Sequence, residues 1–365
     1  MIKFVDLTYQ YKSIKQDVDA AIANVIADTA FVGGVYAKKF EQEFAEWLGA
    51  DWCIGVGNGT DAIEIALEAL DLPAGSEVIV PGNSFIASSE AVTRAGLKVV
   101  FADVDQENYT LTVKTIRAKL SPQTSAIMAV HLYGHPCDMK ALRAIATEVD
   151  LKIIEDCAQA HGALSHGKVV GTQGDIATFS FYPGKNLGAY GDAGAIVTND
   201  AKLAEKARKI ANHGRIAKYD HEFEGRNSRL DGLQAAVLSV KLPHLNSWTK
   251  KRIALADRYL AELSDLEDIV LPRRASWAHQ VYHLFVIRTE QRDELKAHLA
   301  DHDIETGIHY PVALPKLRAY DYLNQGNEDM FVNRSDKTLL SLPIGEHMSD
   351  ADVVRVSKVI RAFYS

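Results

Sequence analysis

From about residue 50 to residue 200, short apolar runs alternate with amphipathic stretches. Val78-Ile79-Val80, Val99-Val100-Phe101, Ala126–Val130, Ile153-Ile154 and Ala177–Phe181 read as buried strands, since continuous apolar runs of this length suit strands covered on both faces. Thr60–Leu70, Ser84–Ala95, Val113–Leu120 and Met139–Val149 read as the helices between them. Such alternation predicts an α/β fold with a mostly parallel sheet. The strand ends carry polar residues: Pro81-Gly82-Asn83, Asp103, His131 and Glu155-Asp156. Ligands of open α/β sheets bind beyond these carboxyl ends.

The pattern changes after residue 200. Ala201–His213 reads as a helix, residues 214–228 as a polar loop, and a long helical stretch from Leu230 is interrupted by Pro243. Val281–Arg288 looks like a strand, Gln291–His302 a helix, and Asp350–Phe363 a terminal amphipathic helix. This predicts a large α/β domain over 1–240 and a smaller α+β domain over 241–365. No internal repeat or low-complexity segment is evident.

A chain of 365 residues can bury two cores of this kind. Acidic residues (48) outnumber basic ones (40), giving a net charge of −8, and no Lys/Arg cluster offsets it. That argues against non-specific nucleic-acid binding. The start, Met1 to Asp6, lacks the apolar core of a signal peptide, and no run is long enough to cross a bilayer. Cys53, Cys137 and Cys157 are too few and scattered for a disulfide framework, which favours a reducing cytoplasmic setting.

The most distinctive chemistry lies in Phe179-Ser180-Phe181-Tyr182-Pro183-Gly184-Lys185-Asn186-Leu187-Gly188-Ala189. One lysine sits in an apolar loop directly after a strand. Desolvation disfavours its ammonium, which makes it a candidate amine nucleophile toward a carbonyl, or else a surface lysine in a glycine turn. Upstream, Gly55-Val56-Gly57-Asn58-Gly59-Thr60-Asp61-Ala62 opens a helix. Glycines let backbone N–H groups approach an anion, and Thr60 can add a hydroxyl or cap the helix. It matches neither a Walker motif nor the dinucleotide fingerprint. Asp156 follows a buried run, where an unpaired carboxylate is costly, so it is either paired to a cation or a helix cap. Phe85 could stack on a planar ring or simply join the core. His131-Leu132-Tyr133-Gly134-His135-Pro136-Cys137-Asp138 lacks zinc spacing and reads as a turn, and no metal site is expected.

An anion-ready helix start, an aromatic, a strand-end Asp and a loop Lys, in that order on one α/β domain, resemble the fold-type-I pyridoxal phosphate (PLP) enzymes. The detailed motifs resemble the DegT/DnrJ/EryC1/StrS sugar aminotransferases. The likeness runs from Phe4-Val5-Asp6-Leu7 through Phe31-Val32-Gly33-Gly34 to Gly307-Ile308-His309-Tyr310-Pro311. It implies an aspartate aminotransferase-like large domain and PLP as cofactor. It implies that Lys185 holds PLP as a Schiff base and moves the proton. Asp156 would pair with the pyridine nitrogen, Gln159 would lie near the phenolic oxygen, and Phe85 would stack on the ring. Gly59, Thr60 and Ser180 would hold the phosphate. Asn227, in Gly225-Arg226-Asn227-Ser228-Arg229, would reach the neighbouring subunit's phosphate, so the active sites would be shared in a homodimer.

The residues around Lys185, Tyr182 to Gly194, resemble the branch that aminates C3 of nucleotide-linked 3-keto sugars, with glutamate implied as donor. A dTDP-3-keto-6-deoxyhexose needs no extra cation and is the preferred acceptor. A UDP-linked 3-keto-hexuronic acid would want one, for which Arg229 is a candidate. Tyr182, His309 and Tyr310 are candidate substrate contacts, as is His213, while Tyr9 reads as an ordinary packed residue. The competing readings are a C4 aminotransferase, a sugar dehydratase (against which Lys185 argues), and a non-catalytic protein that kept the fold. O-antigen, S-layer and antibiotic sugars all remain open as products.

Overall fold

The computed structural model describes residues 1–365. Three helices, α1 (Leu7–Ser13), α2 (Lys15–Ala27) and α3 (Gly34–Leu48), precede the first strand, in a region to which the apolar-run pattern assigns nothing. α3 buries Phe40, Phe44 and Leu48 and ends at Gly49, whose φ of 71° favours glycine. Strands and helices then alternate: β1 (Trp52–Val56), α4 (Gly59–Ala69), β2 (Glu77–Pro81), α5 (Ala87–Arg94), β3 (Lys98–Ala102), α6 (Val113–Arg117), β4 (Thr124–Val130), α7 (Met139–Glu148) and β5 (Lys152–Asp156). After the short hairpin β6 (Leu164–Ser165) and β7 (Lys168–Val169) come β8 (Ile176–Ser180), β9 (Gly194–Thr198) and α8 (Ala201–Ala211).

Seven strands form one sheet in the order β1-β9-β8-β5-β4-β2-β3. Pairs β2–β3, β2–β4, β4–β5 and β5–β8 are parallel, as the alternation predicts. β9 is the exception and runs antiparallel to both neighbours. The register pairs Val130 with Asp156 and Asp156 with Thr178, so β4 and β5 end level while β8 runs on to Ser180.

Residues 214–228 contain a short hairpin, β10 (Arg215–Ala217) with β11 (Asp220–His221), where a loop was expected. α9 (Gly232–Lys241) passes through a 3-10 turn at Leu242–His244, where Pro243 lacks a backbone donor, into α10 (Leu245–Leu263). β12 (Ala278–His279) pairs with β6, and β13 (Phe285–Arg288) starts later than the run from Val281 suggests. The N–H groups of Val281 and Leu284 are taken by the carbonyls of Gly134 and Tyr133, and Tyr282 sits at φ 46°. α11 (Arg292–Asp301), α12 (Phe331–Ser335), β14 (Leu339–Leu342) and α13 (Asp350–Phe363) complete the chain. α13 starts where expected because Ser349 and Asp352 form a capping box.

Three main hydrophobic clusters hold these elements. One covers the sheet around Ile65, Val78, Ile127 and Ile153, and takes in Leu314, Phe331 and Val332 from the C-terminal part. The second joins Phe40 and Phe44 of α3 to Phe179, Phe181 and Leu238. Phe44 meets Phe179 and Phe181 edge-on at 5.0 and 5.2 Å between ring centres, so the loop after β8 is anchored by rings on both sides of Ser180. The third joins Tyr259, Phe285, Leu342 and Ile360, and includes Ile2 from the opposite end of the chain. No helix is long and apolar enough to cross a membrane.

Candidate active site

A cavity of about 720 Å³ opens beyond the carboxyl ends of β2, β4, β5 and β8. Lys185, Asp156, Gly59, Thr60, Phe85, Gln159, Ser180, Tyr182, His309 and Tyr310 all line it. These ten run from Gly59 to Tyr310 in sequence; the ends of β5 and β8, the start of α4 and the packing of the C-terminal part bring them together.

One end of the cavity is the start of α4. Asn58, not Thr60, caps this helix, accepting 2.8 Å from the N–H of Asp61, so the Thr60 hydroxyl is spared that task. A Cβ on Gly59 would lie 2.7 Å from Cβ of Ser180, so only glycine lets α4 approach β8 this closely. First-turn N–H groups have no carbonyl partner within the helix. Together with the Thr60 and Ser180 hydroxyls they form a donor-rich cradle with the polarity a phosphate requires.

At the end of β5, Asp156 is buried. Its Oδ2 accepts 2.7 Å from Ser88 Oγ and its Oδ1 accepts 3.1 Å from the N–H of Ala158. A carboxylate only accepts, so Ser88 donates to it and in turn accepts from Ser84 Oγ at 2.7 Å. The sequence names no partner for Asp156 within the chain. The pattern reads Ser84–Ala95 as a helix, but α5 begins at Ala87, so Ser84 reaches Ser88 from the turn before it.

Lys185 keeps part of its surface open to the cavity, while its surroundings withhold water from the amine. Desolvation pulls its pKa down from 10.5 to about 8, against an opposing pull from Asp156. The loop carrying it is tight: the N–H of Ala189 reaches the Phe181 carbonyl at 2.7 Å, and a Cβ on Gly188 would lie 2.4 Å from the Pro183 oxygen. Neighbouring His161 is buried against Phe179 and Phe181, and burial lowers its pKa to about 3, with Lys185 adding to the effect. It is therefore neutral.

The opposite wall belongs to the C-terminal part of the chain. Gln159 Oε1 accepts from the N–H of Tyr133 at 2.6 Å, which orients its Nε2 to donate 3.1 Å to Tyr310 Oη. The Tyr310 ring lies 5.6 Å from that of Phe85, which is 53% exposed and thus free to meet a ligand. His309 shares a 2.9 Å hydrogen bond with Ser341 and stacks on Phe4. Burial first, and Lys185 second, lower its pKa to about 4. Phe4, Val5, Asp192, Arg252 and His283 also line the cavity. Sequence reasoning missed Phe4, Val5, Arg252 and His283 because their approach depends on how the C-terminal part and the N-terminal segment pack, while Asp192 comes from the segment just before β9.

Three candidates lie elsewhere in the single chain. Asn227 is exposed and borders a separate open cleft that shares Asn58 and Thr60 with the cavity. Arg229 and His213 are exposed and line neither, and the His213 carbonyl accepts from His221 at 2.8 Å. The turn read for His131–Asp138 is present as a 3-10 turn at Leu132–Gly134. His131, Glu155 and Cys157 come together beneath it. His131 Nδ1 accepts from the N–H of Cys137, so its Nε2 donates to Glu155 at 3.0 Å. Glu155 further accepts from the N–H groups of Gly171, Gln173 and Gly174, and these bonds account for its buried charge.

The donor-rich cradle, the buried carboxylate and the low-pKa lysine fit the phosphate, ring nitrogen and aldehyde of PLP respectively. Fold and cavity together define a fold-type-I PLP enzyme. The chain belongs to the DegT/DnrJ/EryC1/StrS aminotransferase family, whose model matches residues 12–361, and pyridoxal 5'-phosphate is its cofactor. It is 43% identical over 363 residues to dTDP-3-amino-3,4,6-trideoxy-alpha-D-glucose transaminase of Streptomyces venezuelae, covering 99% of this chain and 95% of that one. It is 42% identical over 363 residues to dTDP-3-amino-3,6-dideoxy-alpha-D-galactopyranose transaminase of Aneurinibacillus thermoaerophilus, covering 100% and 99%. Its structure resembles the crystal structure of S. venezuelae DesV in complex with a ketimine intermediate, with a TM-score of 0.97 at 43% identity, covering 99% and 98%.

Proposed function

We propose that the protein transfers an amino group to C3 of a nucleotide-linked 3-keto sugar, with a dTDP-linked 3-keto-6-deoxyhexose as acceptor and glutamate as donor. The observation that carries this reading is that Lys185 and Asp156 share one cavity with the α4 cradle and with His309 and Tyr310. The names of the two relatives support a dTDP-linked acceptor. The exposed place of Arg229, outside the cavity, gives no support to a uronate acceptor.

Bound PLP supplies an electron sink that makes the carbon bearing the amino group acidic. In this reading Gly59, Thr60 and Ser180 would hold its phosphate, and Asp156, fixed by Ser88, would pair with its ring nitrogen. Phe85 would pack on the ring and Gln159 would meet the phenolic oxygen. Lys185 Nζ takes the proton from the donor's α-carbon and returns one at the sugar's C3. A pKa near 8 suits an amine that must both accept and release a proton near neutral pH. Tyr182, His309 and Tyr310 face the sugar nucleotide. Keto acid leaves before the sugar enters, so one set of groups serves both halves.

The reading extends to a homodimer in which Asn227 reaches the partner's phosphate site and the two sites are shared. Its exposure, and the exposed Phe31, Val32 and Val35, support such an interface. The domain division at 240 and 241 remains part of this reading, with the small domain supplying His309 and Tyr310. Three free buried cysteines are consistent with work in the reducing cytoplasm.

The test is product analysis. Incubation with PLP, glutamate and a dTDP-3-keto-6-deoxyhexose should give nitrogen at C3 by NMR. Nitrogen at C4 would overturn the assignment, and the visible band of the PLP-loaded protein should vanish in Lys185→Ala. Sedimentation should report a dimer.

A further inference from the structure

Tyr133 belongs to the turn motif His131–Asp138, to which the reading above gives no role. It is 3% exposed, packed edge-on against Tyr109 at 5.3 Å between ring centres. Two of its groups point to different parts of the site. Its backbone N–H fixes Gln159 Oε1 at 2.6 Å, and its phenol donates to the carbonyl of His309. Gln159 Nε2 then donates to Tyr310 Oη at 3.1 Å, and Tyr310 follows His309 in the chain. These contacts close a ring through Tyr133, Gln159, Tyr310 and His309. The ring joins the ends of β4 and β5 to the segment that carries the two candidate sugar contacts.

We infer that Tyr133 is a positioning residue for the acceptor sugar, acting through the phenol that holds the His309 carbonyl. This rests on the proposed function, in which His309 and Tyr310 meet the sugar. The two Tyr133 bonds are separable. Tyr133→Phe removes the phenol bond to His309 and leaves the N–H that orients Gln159, so the cofactor side keeps its geometry. The ring and its packing against Tyr109 are retained, so the variant is suited to folding normally.

The experiment compares two readouts on PLP-loaded wild type and Tyr133→Phe. Calorimetry measures the Kd of an unreactive dTDP-linked 6-deoxyhexose with a hydroxyl at C3. Bleaching of the visible band measures half-saturation by glutamate with no sugar present. A neutral hydrogen bond of ordinary strength corresponds to a loss of roughly 3- to 10-fold in affinity. The expected result is that loss in sugar Kd, with glutamate half-saturation within about twofold of wild type. An unchanged sugar Kd, or equal shifts in both readouts, overturns the inference, since a merely structural role would not separate them. The wild-type control tests the underlying reading separately: bleaching by glutamate without sugar-nucleotide binding rejects the acceptor, whatever the variant does.

Discussion

Ser88 Oγ donates 2.7 Å to Asp156 Oδ2; a carboxylate only accepts, so the direction of this bond is fixed and Ser88 in turn accepts from Ser84. A hydroxyl so committed orients the carboxylate and disperses its charge in a buried place. Removing a hydrogen bond to a charged group costs about 1.5–3 kcal/mol. Ser88→Ala should therefore keep the visible band while slowing both half-reactions about 10- to 100-fold, measured by stopped-flow absorbance. Equal rates in variant and wild type would remove Ser88 from this task.

The lowered pKa of Lys185 predicts a pH profile for cofactor loading. The neutral amine is the nucleophile, and its fraction rises as pH passes upward through about 8. The rate at which protein freed of PLP regains the visible band should rise from pH 6 and level off above about 8. A rise continuing to the ordinary lysine range would mean that the amine is better hydrated than its surroundings imply.

Gly59 tests the phosphate cradle. A Cβ there would overlap Ser180, and the contacting atom is Cβ, close to the backbone of β8, which cannot simply swing aside. Gly59→Ala should push α4 from β8 and weaken PLP binding by at least about 10-fold, equivalent to about 1.4 kcal/mol. Titration of the PLP-free protein, followed by absorbance, measures this directly.

Lys241 offers a prediction on stability. It is fully buried on α9, donates 2.6 Å to the Gly188 carbonyl and lies 4.1 Å over the Tyr190 ring, behind the loop that carries Lys185. Burial lowers its pKa to about 7, while the unfolded chain keeps the ordinary 10.5. Between these values the unfolded state holds the extra proton, so wild-type stability from this group rises with pH. Below about 7 both states are protonated and the desolvation cost is present in full. Lys241→Met removes that cost together with the bond to Gly188. Its stability deficit against wild type, from urea unfolding, should be smaller at pH 6 than at pH 9; the reverse order would contradict the direction of the shift.

Much of this site is legible in the chain because its groups occur at strand ends and helix starts, which local patterns locate. Lys185, Asp156, Gly59, Thr60 and Ser180 are all of this kind, and all line one cavity. Ser88, Phe4, Arg252 and His283 are not, since nothing local says that α5, the N-terminal segment and α10 converge there. Thr60 looked equally able to cap α4, and only the geometry shows Asn58 in that position. The run from Val281 looked like a strand, but its first N–H groups are used by the turn at Tyr133 and Gly134.

The sequence by itself determined the alternating α/β plan, the order of the chemistry-bearing motifs and the family they resemble. These depend on the periodicity of burial and on short contiguous segments, and both are written in the chain. Tertiary structure alone decided that β9 runs against its neighbours and that Ser88 faces Asp156. It also decided that Tyr133 holds Gln159 and His309 at once. The last two join residues apart in sequence through single hydrogen bonds, which leave no periodic trace, and all of these relations exist only once the hydrophobic clusters have fixed the strands in register.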